Sequence, residues 1–291
     1  MYKQSMLKEN TFENKVILIT GGGTGLGKSM ASYLLSLGGK VIITSRKLDV
    51  LEKTKKEFDQ SYPNKTLALD GDVRKIEDVE NIINKGFREF ENIDYLINNA
   101  AGNFISPTER LSAKAFEVII DIVLKGTCNF SLTLGKKWID LKKPGNILNI
   151  ATTYAHTGSG YVVPSAAAKG GVVSFTKSIA AEWAKYNIRC NAIAPGPFPT
   201  KGAWDRLVPP GFSKFFDIKK RVPLKRVGEH QELANLVAYM LSDYSSYITG
   251  EVMTIDGGEW IYNAGQFTYL DKIPKAMWTI IEKTIRRKNK K

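Results

Sequence analysis

The stretch from Val16 to Leu37 constrains the fold more than any other part of the chain. The run Val16-Ile-Leu-Ile-Thr20 is short, apolar and β-branched, as a buried strand is. It passes directly into Gly21-Gly-Gly-Thr-Gly25-Leu-Gly27, and Gly25–Leu37 then carries the apolar spacing of a helix. A strand, a glycine turn and a helix in that order make a βα unit. Glycine lets backbone approach a pyrophosphate closely, and a helix N-terminus offers free N–H groups and a partial positive charge. Gly21, Gly22, Gly23, Thr24, Gly25, Leu26 and Gly27 are therefore candidate nucleotide-binding residues. A glycine run alone is a weak signal; its place at the start of the first βα unit makes it a strong one.

The same alternation continues along the chain. Strands are predicted over Lys15–Thr20, Lys40–Thr44, Thr66–Leu69, Ile93–Ile97, Asn146–Ala151, Arg189–Ala194 and Val252–Ile255. Helices are predicted over Gly25–Leu37, Asp49–Ser61, Ile76–Glu89, Ala113–Leu141, Ser165–Tyr186 and Gln231–Leu241, with a terminal helix over Ile273–Arg287. Strands spaced by helices give an α/β fold, a doubly wound Rossmann-type sheet of about seven parallel strands flanked by helices, with a C-terminal helical tail. No linker or repeat divides the 291 residues, so residues 1–291 read as one dinucleotide-binding domain. Residues 198–226, rich in Pro and aromatics, fit no strand and read as a substrate-loop insert. Residues 259–291 read as a C-terminal extension.

Composition narrows the class without choosing a function. The longest apolar runs are cut by Gly or charge well short of the roughly 18 residues of a membrane span, so no membrane span is expected. Cys128 and Cys190 lie far apart without CxxC or His partners and read as buried, reduced core residues. His156 and His230 are the only histidines, and no metal-ligand cluster is present. Met1–Phe12 has no apolar signal core, which favours a cytoplasmic protein, or a matrix one as a mature mitochondrial form. Of the net charge of +13, six positive and one negative residue lie in Ile281–Lys291. That tail reads as a solvated helix end; the remaining charge suits polyanionic small ligands, and no nucleic-acid partner is expected.

The end of the second strand selects the cofactor. An NAD site places an acid about 20 residues beyond the glycines, on the ribose hydroxyl. This chain has Ser45-Arg46-Lys47 there. A guanidinium binds a 2′-phosphate in a charge-assisted pair, so the expected cofactor is NADP(H). Asp72, after the third strand, can accept from the adenine amine. Asn98-Asn99-Ala-Ala-Gly102 ends the fourth strand with small residues that let the chain pass close to a cofactor. With Pro195-Gly196 and Asp256-Gly-Gly258, these motifs resemble the short-chain dehydrogenase/reductase family over about residues 12–258. The resemblance places Pro195, Gly196, Pro197 and Phe198 along the nicotinamide, and Asn99 in the cofactor site.

Most of that family carries Tyr-x3-Lys on the helix after the fifth strand. Here the place reads Ser165-Ala-Ala-Ala-Lys169, with both side chains on one helix face. A serine hydroxyl is a far weaker acid than a phenol, whose pKa is about 10, so Ser165 cannot replace it as proton donor. Thr152 stands for the family's Ser, and Val123 for its helix-4 Asn. Tyr154 and Tyr161 both offer a displaced phenol, and spacing does not separate them.

Three segments sharpen the likeness: Ala101–Leu111, Thr157-Gly-Ser-Gly160 with Val163-Pro-Ser-Ala166, and Thr200-Lys-Gly-Ala203 with Arg206. They resemble the 2,4-dienoyl-CoA reductases of the mitochondrial type, over nearly the whole chain. The resemblance implies an NADPH-dependent step in β-oxidation of unsaturated fatty acids, a trans-3-enoyl-CoA product and a homotetramer. It implies that Tyr154 and Asn103 hold the thioester oxygen, that Lys169 and Ser165 serve the nicotinamide side, and that Arg46, Arg74, Phe104, Ser112 and Arg206 bind the acyl-CoA. The alternatives are a trans-2-enoyl-CoA or other acyl-thioester reductase, and a catalytically silent nucleotide-binding protein acting through its basic tail.

Overall fold

The computed structural model describes residues 7–200 and 218–288. Seven parallel strands form one sheet: β1 (Val16–Thr20), β2 (Lys40–Ser45), β3 (Thr66–Asp70), β4 (Tyr95–Asn98), β5 (Gly145–Ile150), β6 (Ile188–Pro195) and β7 (Val252–Ile255). Their order is β3-β2-β1-β4-β5-β6-β7. The chain winds outward from β1 to β3, then returns to lay β4 on the other side of β1. A crevice opens beyond the strand ends where the winding reverses, and it is where such sheets take ligands.

Helices cover both faces, and the two-residue period of each strand divides its side chains between them. On one face Ile17, Ile19, Val41 and Ile43 pack with Met30 and Leu34 of α1 (Gly25–Ser36) and Leu233 and Val237 of a later helix, α9 (His230–Leu241). On the other, Leu18, Ile42 and Leu96 meet Val79 and Ile82 of α3 (Ile76–Phe90) and Phe130, Leu134 and Trp138 of α5 (Gly126–Asp140). Each such aliphatic side chain contributes about 1.5–3 kcal/mol on burial, which is why these runs form interior strands. α2 (Leu48–Asp59) lies between β2 and β3 in the chain.

The fourth crossover is longer and irregular. α4 (Ala113–Ile120) runs into α5 through a π-helical turn at Asp121–Lys125, which holds Val123 fully buried. Single π-turns inside α-helices recur at functional sites. By length and composition, Ala113–Asp140 is the one helix among the described residues that could cross a membrane. Counting uninterrupted apolar runs misses it, because Lys125 interrupts the sequence but not the helix. Its Val123, Phe130, Leu134 and Trp138 are spent on the interior instead.

After β5 comes a one-turn helix, α6 (Tyr154–Thr157), then α7 (Val163–Trp183) with Pro164 in its first turn. Of the insert expected over residues 198–226, residues 201–217, with Arg206, lie outside the described residues, and α8 (Ile218–Arg221) follows them. Beyond β7 the extension forms α10 (Glu259–Ala264) and α11 (Lys275–Lys288). Cys190 is buried on β6 as expected, whereas Cys128 is only half-buried on α5; both thiols are free.

Candidate active site

The glycine turn closes over the carboxyl end of β1. Gly21 and Gly25 adopt left-handed backbone (φ +67° and +52°), a region other residues enter at a cost. Gly27 is required for a different reason: a Cβ there would lie 2.2 Å from the Gly21 carbonyl oxygen and 2.7 Å from Asn99 Nδ2. Thr24, the exposed N-cap of α1, makes no side-chain capping bond, so the first N–H groups of that helix are left to a ligand. The Asn99 amide donates to the carbonyls of Thr20 (3.0 Å) and Gly21 (3.2 Å). Its side chain therefore braces the turn rather than reaching outward.

At the end of β2, Arg46 is exposed and has no hydrogen-bond or ion-pair partner among the described residues. Asp72 is buried and already occupied. It accepts from Arg74 Nε at 2.9 Å and Nη2 at 2.5 Å, and from the Arg74 backbone N–H at 3.1 Å. The Arg74 guanidinium, its own burial partly opposing, holds the Asp72 carboxyl below the usual carboxylate range, with a smaller push from Arg46. The expected adenine acceptor and the expected acyl-CoA arginine are thus one ion pair. Two-residue spacing gives no hint of that pairing in sequence.

The two candidate phenols sit in different surroundings. Tyr161 is 64% exposed and sits in left-handed backbone (φ +65°). Tyr154 turns inward from α6: its hydroxyl lies 3.1 Å from Ser165 Oγ and accepts from Asn103 Nδ2 at 3.3 Å. The Asn103 Oδ1 accepts from the Phe104 N–H (2.9 Å), which fixes the amide with its nitrogen toward the phenol. Three elements thus bring a phenol, an alcohol and an amide to one point. One turn further along α7, Lys169 is buried and donates to the Ile150 carbonyl at the end of β5. Burial pushes its ammonium down to about 8.

The remaining expected positions divide. Gly196 packs on Asp256, where a Cβ would come within 2.6 Å of the Asp256 Cβ, and the Pro197 carbonyl accepts from Gly228 N–H at 3.0 Å. Phe198 is buried in the core, so only its backbone is left to face a ligand. Phe104 packs against Ile119, Val123, Ala168 and Val172. Ser112 is the N-cap of α4, its Oγ accepting from Ala115 N–H at 3.1 Å; Ser ahead of an apolar run is itself a capping signal.

A buried polar network escapes sequence reading altogether. Asn98 Nδ2 donates to Ser131 Oγ (2.9 Å) and Asn149 Oδ1 (2.8 Å), and Asn149 donates to Thr176 Oγ1 (2.8 Å). It ties β4, β5 and α5 to α7, the helix that carries Ser165 and Lys169. Also unforeseen, the His156 ring stacks on Trp260 of α10 (centroids 5.1 Å, 11°), backing the turn that carries Tyr154. Among the described residues no His, Cys, Asp and Glu group could hold a metal ion.

A doubly wound parallel sheet with a glycine turn at its switch point, and a phenol beside a helix that buries a lysine one turn on, defines a dinucleotide-dependent oxidoreductase. The profile of the family described as Enoyl-(Acyl carrier protein) reductase matches residues 21–259, and the chain belongs to the short-chain dehydrogenase/reductase family, whose cofactor is a nicotinamide dinucleotide. A probable 2,4-dienoyl-CoA reductase of Bacillus subtilis, named as (2E)-enoyl-CoA-producing, is 44% identical over 257 residues, 86% of this chain and 98% of that protein. One of Caenorhabditis elegans, named as (3E)-enoyl-CoA-producing, is 41% identical over 268 residues, 90% of this chain and 86% of that protein. The crystal structure of a short chain dehydrogenase from Bacillus anthracis superimposes with a TM-score of 0.77 at 43% identity, covering 84% of this chain and 96% of that one.

Proposed function

We propose that the chain reduces 2,4-dienoyl-CoA thioesters with NADPH and releases the trans-3-enoyl-CoA, a step in the β-oxidation of unsaturated fatty acids. The carrying observation is the convergence of Tyr154, Ser165 and Asn103. The glycine turn and the uncapped N-terminus of α1 suit a pyrophosphate, and Arg46, exposed and without a partner among the described residues, suits a 2′-phosphate. Lys169 is assigned to the nicotinamide ribose. When bound, NADPH supplies the hydride.

Hydride addition at C5, the far end of the diene, drives negative charge onto the thioester oxygen. Tyr154 O–H and Asn103 Nδ2–H are the donors assigned to that oxygen, and fixed donors of this kind are each worth about 3 kcal/mol in a transition state. With Ser165 as the donor of the 3.1 Å bond to the phenol oxygen, the Tyr154 proton is left for the substrate. Among the described residues no carboxylate or imidazole hydrogen-bonds this trio. The proton that completes the reaction is therefore taken from water at C2, leaving the double bond between C3 and C4.

Arg74, held by Asp72, and Arg46 are the cations assigned to coenzyme A phosphates, with Phe104 and Ser112 along the channel. Arg206, outside the described residues, is assigned with them. A homotetramer in the cytoplasm, or in the mitochondrial matrix as a mature form, completes the reading.

A second reading, the trans-2-enoyl-CoA product, is favoured by the (2E)-enoyl-CoA for which the Bacillus subtilis relative is named. One experiment tests both. NADPH oxidation is followed with 2,4-hexadienoyl-CoA, a 2-enoyl-CoA and a 3-ketoacyl-CoA, and the dienoyl product is identified by NMR. Turnover of the dienoyl-CoA to the 3-enoyl isomer is expected. Activity confined to the other two thioesters overturns the reading, and the 2-enoyl isomer moves the protonation site to C4.

A further inference from the structure

His230, the first residue of α9, bridges two parts of the molecule that no other described side chain joins in this way. Its Nε2 lies 2.8 Å from the Pro199 carbonyl oxygen and its Nδ1 2.8 Å from Ser29 Oγ. A carbonyl only accepts, so Nε2 is the donor and Nδ1 faces the Ser29 hydroxyl. Proline has no N–H, which makes that carbonyl the one backbone hydrogen-bonding group of Pro199. Ser29 in turn reaches Gly25, its Oγ lying 3.1 Å from the Gly25 carbonyl oxygen.

The two ends of this bridge meet again at the glycine turn. Thr200 lies over Gly25: a Cβ built there would be 3.2 Å from Thr200 Cγ2. One imidazole thus spans from the helix whose N-terminus faces the pyrophosphate to the segment leaving β6. On its other side that segment is held by Gly228, which donates to the Pro197 carbonyl at 3.0 Å and leaves room for the Phe198 ring. In the cofactor reading above, the pyrophosphate lies at this glycine turn, and Thr200 is therefore its neighbour.

We propose that His230 is a positioning residue for the dinucleotide site: by holding Pro199 against Ser29 it sets the gap between the glycine turn and Thr200, and with it the affinity for the cofactor. The inference rests on the cofactor reading above, and the test separates the two. The dissociation constants of NADPH and NADH are measured by nicotinamide fluorescence for the wild type, His230→Gln, His230→Asn and Ser29→Ala, with thermal unfolding of each. Gln extends an amide N–H to the Nε2 position, whereas Asn reaches only the Nδ1 position. Loss of one hydrogen bond to Pro199 weakens binding by about five- to tenfold in His230→Asn, and His230→Gln stays within about twofold of the wild type, even though both lower the melting temperature alike. Ser29→Ala, which cuts the other arm and suits a helix, weakens binding by about two- to fivefold and serves if His230→Asn does not fold. Equal affinities for Gln and Asn, or wild-type affinity in Ser29→Ala, overturn the proposal. A wild type that prefers NADH defeats the phosphate reading and leaves the ratio between variants to decide on His230.

Discussion

Lys169 allows the physics of the site to be tested in the ligand-free protein. Its side chain is buried, and desolvation lowers its ammonium from the ordinary 10.5 to about 8. The free-energy equivalent is about 3 kcal/mol opposing the charged form in the folded state. The sign follows from proton counting. Between the folded value and the unfolded one the unfolded chain holds a proton that the folded chain lacks, so stability rises with pH across that window. Below it the cost is fully present; above it the cost is gone. Lys169→Met removes the titration but leaves the Ile150 carbonyl without its donor, a pH-independent loss of about 1–3 kcal/mol. The two effects nearly cancel at pH 7, and the signature is therefore the slope. Burial pushes the Cys190 thiol up to about 12, which works in the opposite direction at alkaline pH, but that contribution is common to both proteins. Urea denaturation of wild type and Lys169→Met from pH 7 to 10.5 is expected to show the wild type gaining about 3 kcal/mol relative to the variant. A difference that stays flat over this range would refute the assignment of Lys169 as a desolvated cation.

Three further perturbations address the rest of the site. Tyr154→Phe and Asn103→Ala should each lower kcat by about a hundredfold or more, and near-full turnover in the double variant would falsify the oxyanion role. Arg46→Asp should raise the KM for NADPH by about ten- to a hundredfold with a much smaller effect on NADH; equal effects on both sink the phosphate assignment. Gly27→Ala places a methyl 2.2 Å from the Gly21 carbonyl oxygen, where backbone cannot yield, so we expect about 1–3 kcal/mol of destabilisation together with loss of dinucleotide binding by fluorescence titration.

The sheet was legible because each strand is a short apolar run between Gly, Pro or charge, and every observed strand falls within two residues of its expected place. Helix starts fall within the same margin: α7 begins at Val163 rather than Ser165, and Pro164 is a residue that favours the first helical turn. α6 and α10 have four and six residues, too short to show any helical period. Within the site, single residues could be nominated but partners could not. Asp72 and Arg74 were assigned to different ligands and turn out to hold each other. Ser112, assigned to the channel, also caps a helix. Asn98, Ser131, Asn149 and Thr176 form one network from positions up to 78 apart, and only the sheet brings them together.

The displacement of the phenol matters because of which groups now surround it. On α7, at the place of Ser165, a tyrosine would stand one turn from Lys169, whose positive charge favours the phenolate and so eases proton delivery. From α6, Tyr154 meets instead a serine hydroxyl and an amide, both uncharged. Neutral dipoles offer no full charge to set against a developing one. They are nonetheless well suited to charge that appears only during reaction, since they cost no ionic desolvation while they wait. Carbonyl reduction needs an acid at the reacting oxygen; reduction along a conjugated thioester needs a fixed pair of donors at an oxygen remote from the hydride. The substitution of Ser165 for tyrosine and the inward turn of Tyr154 are two halves of one change, and that change favours the second chemistry over the first.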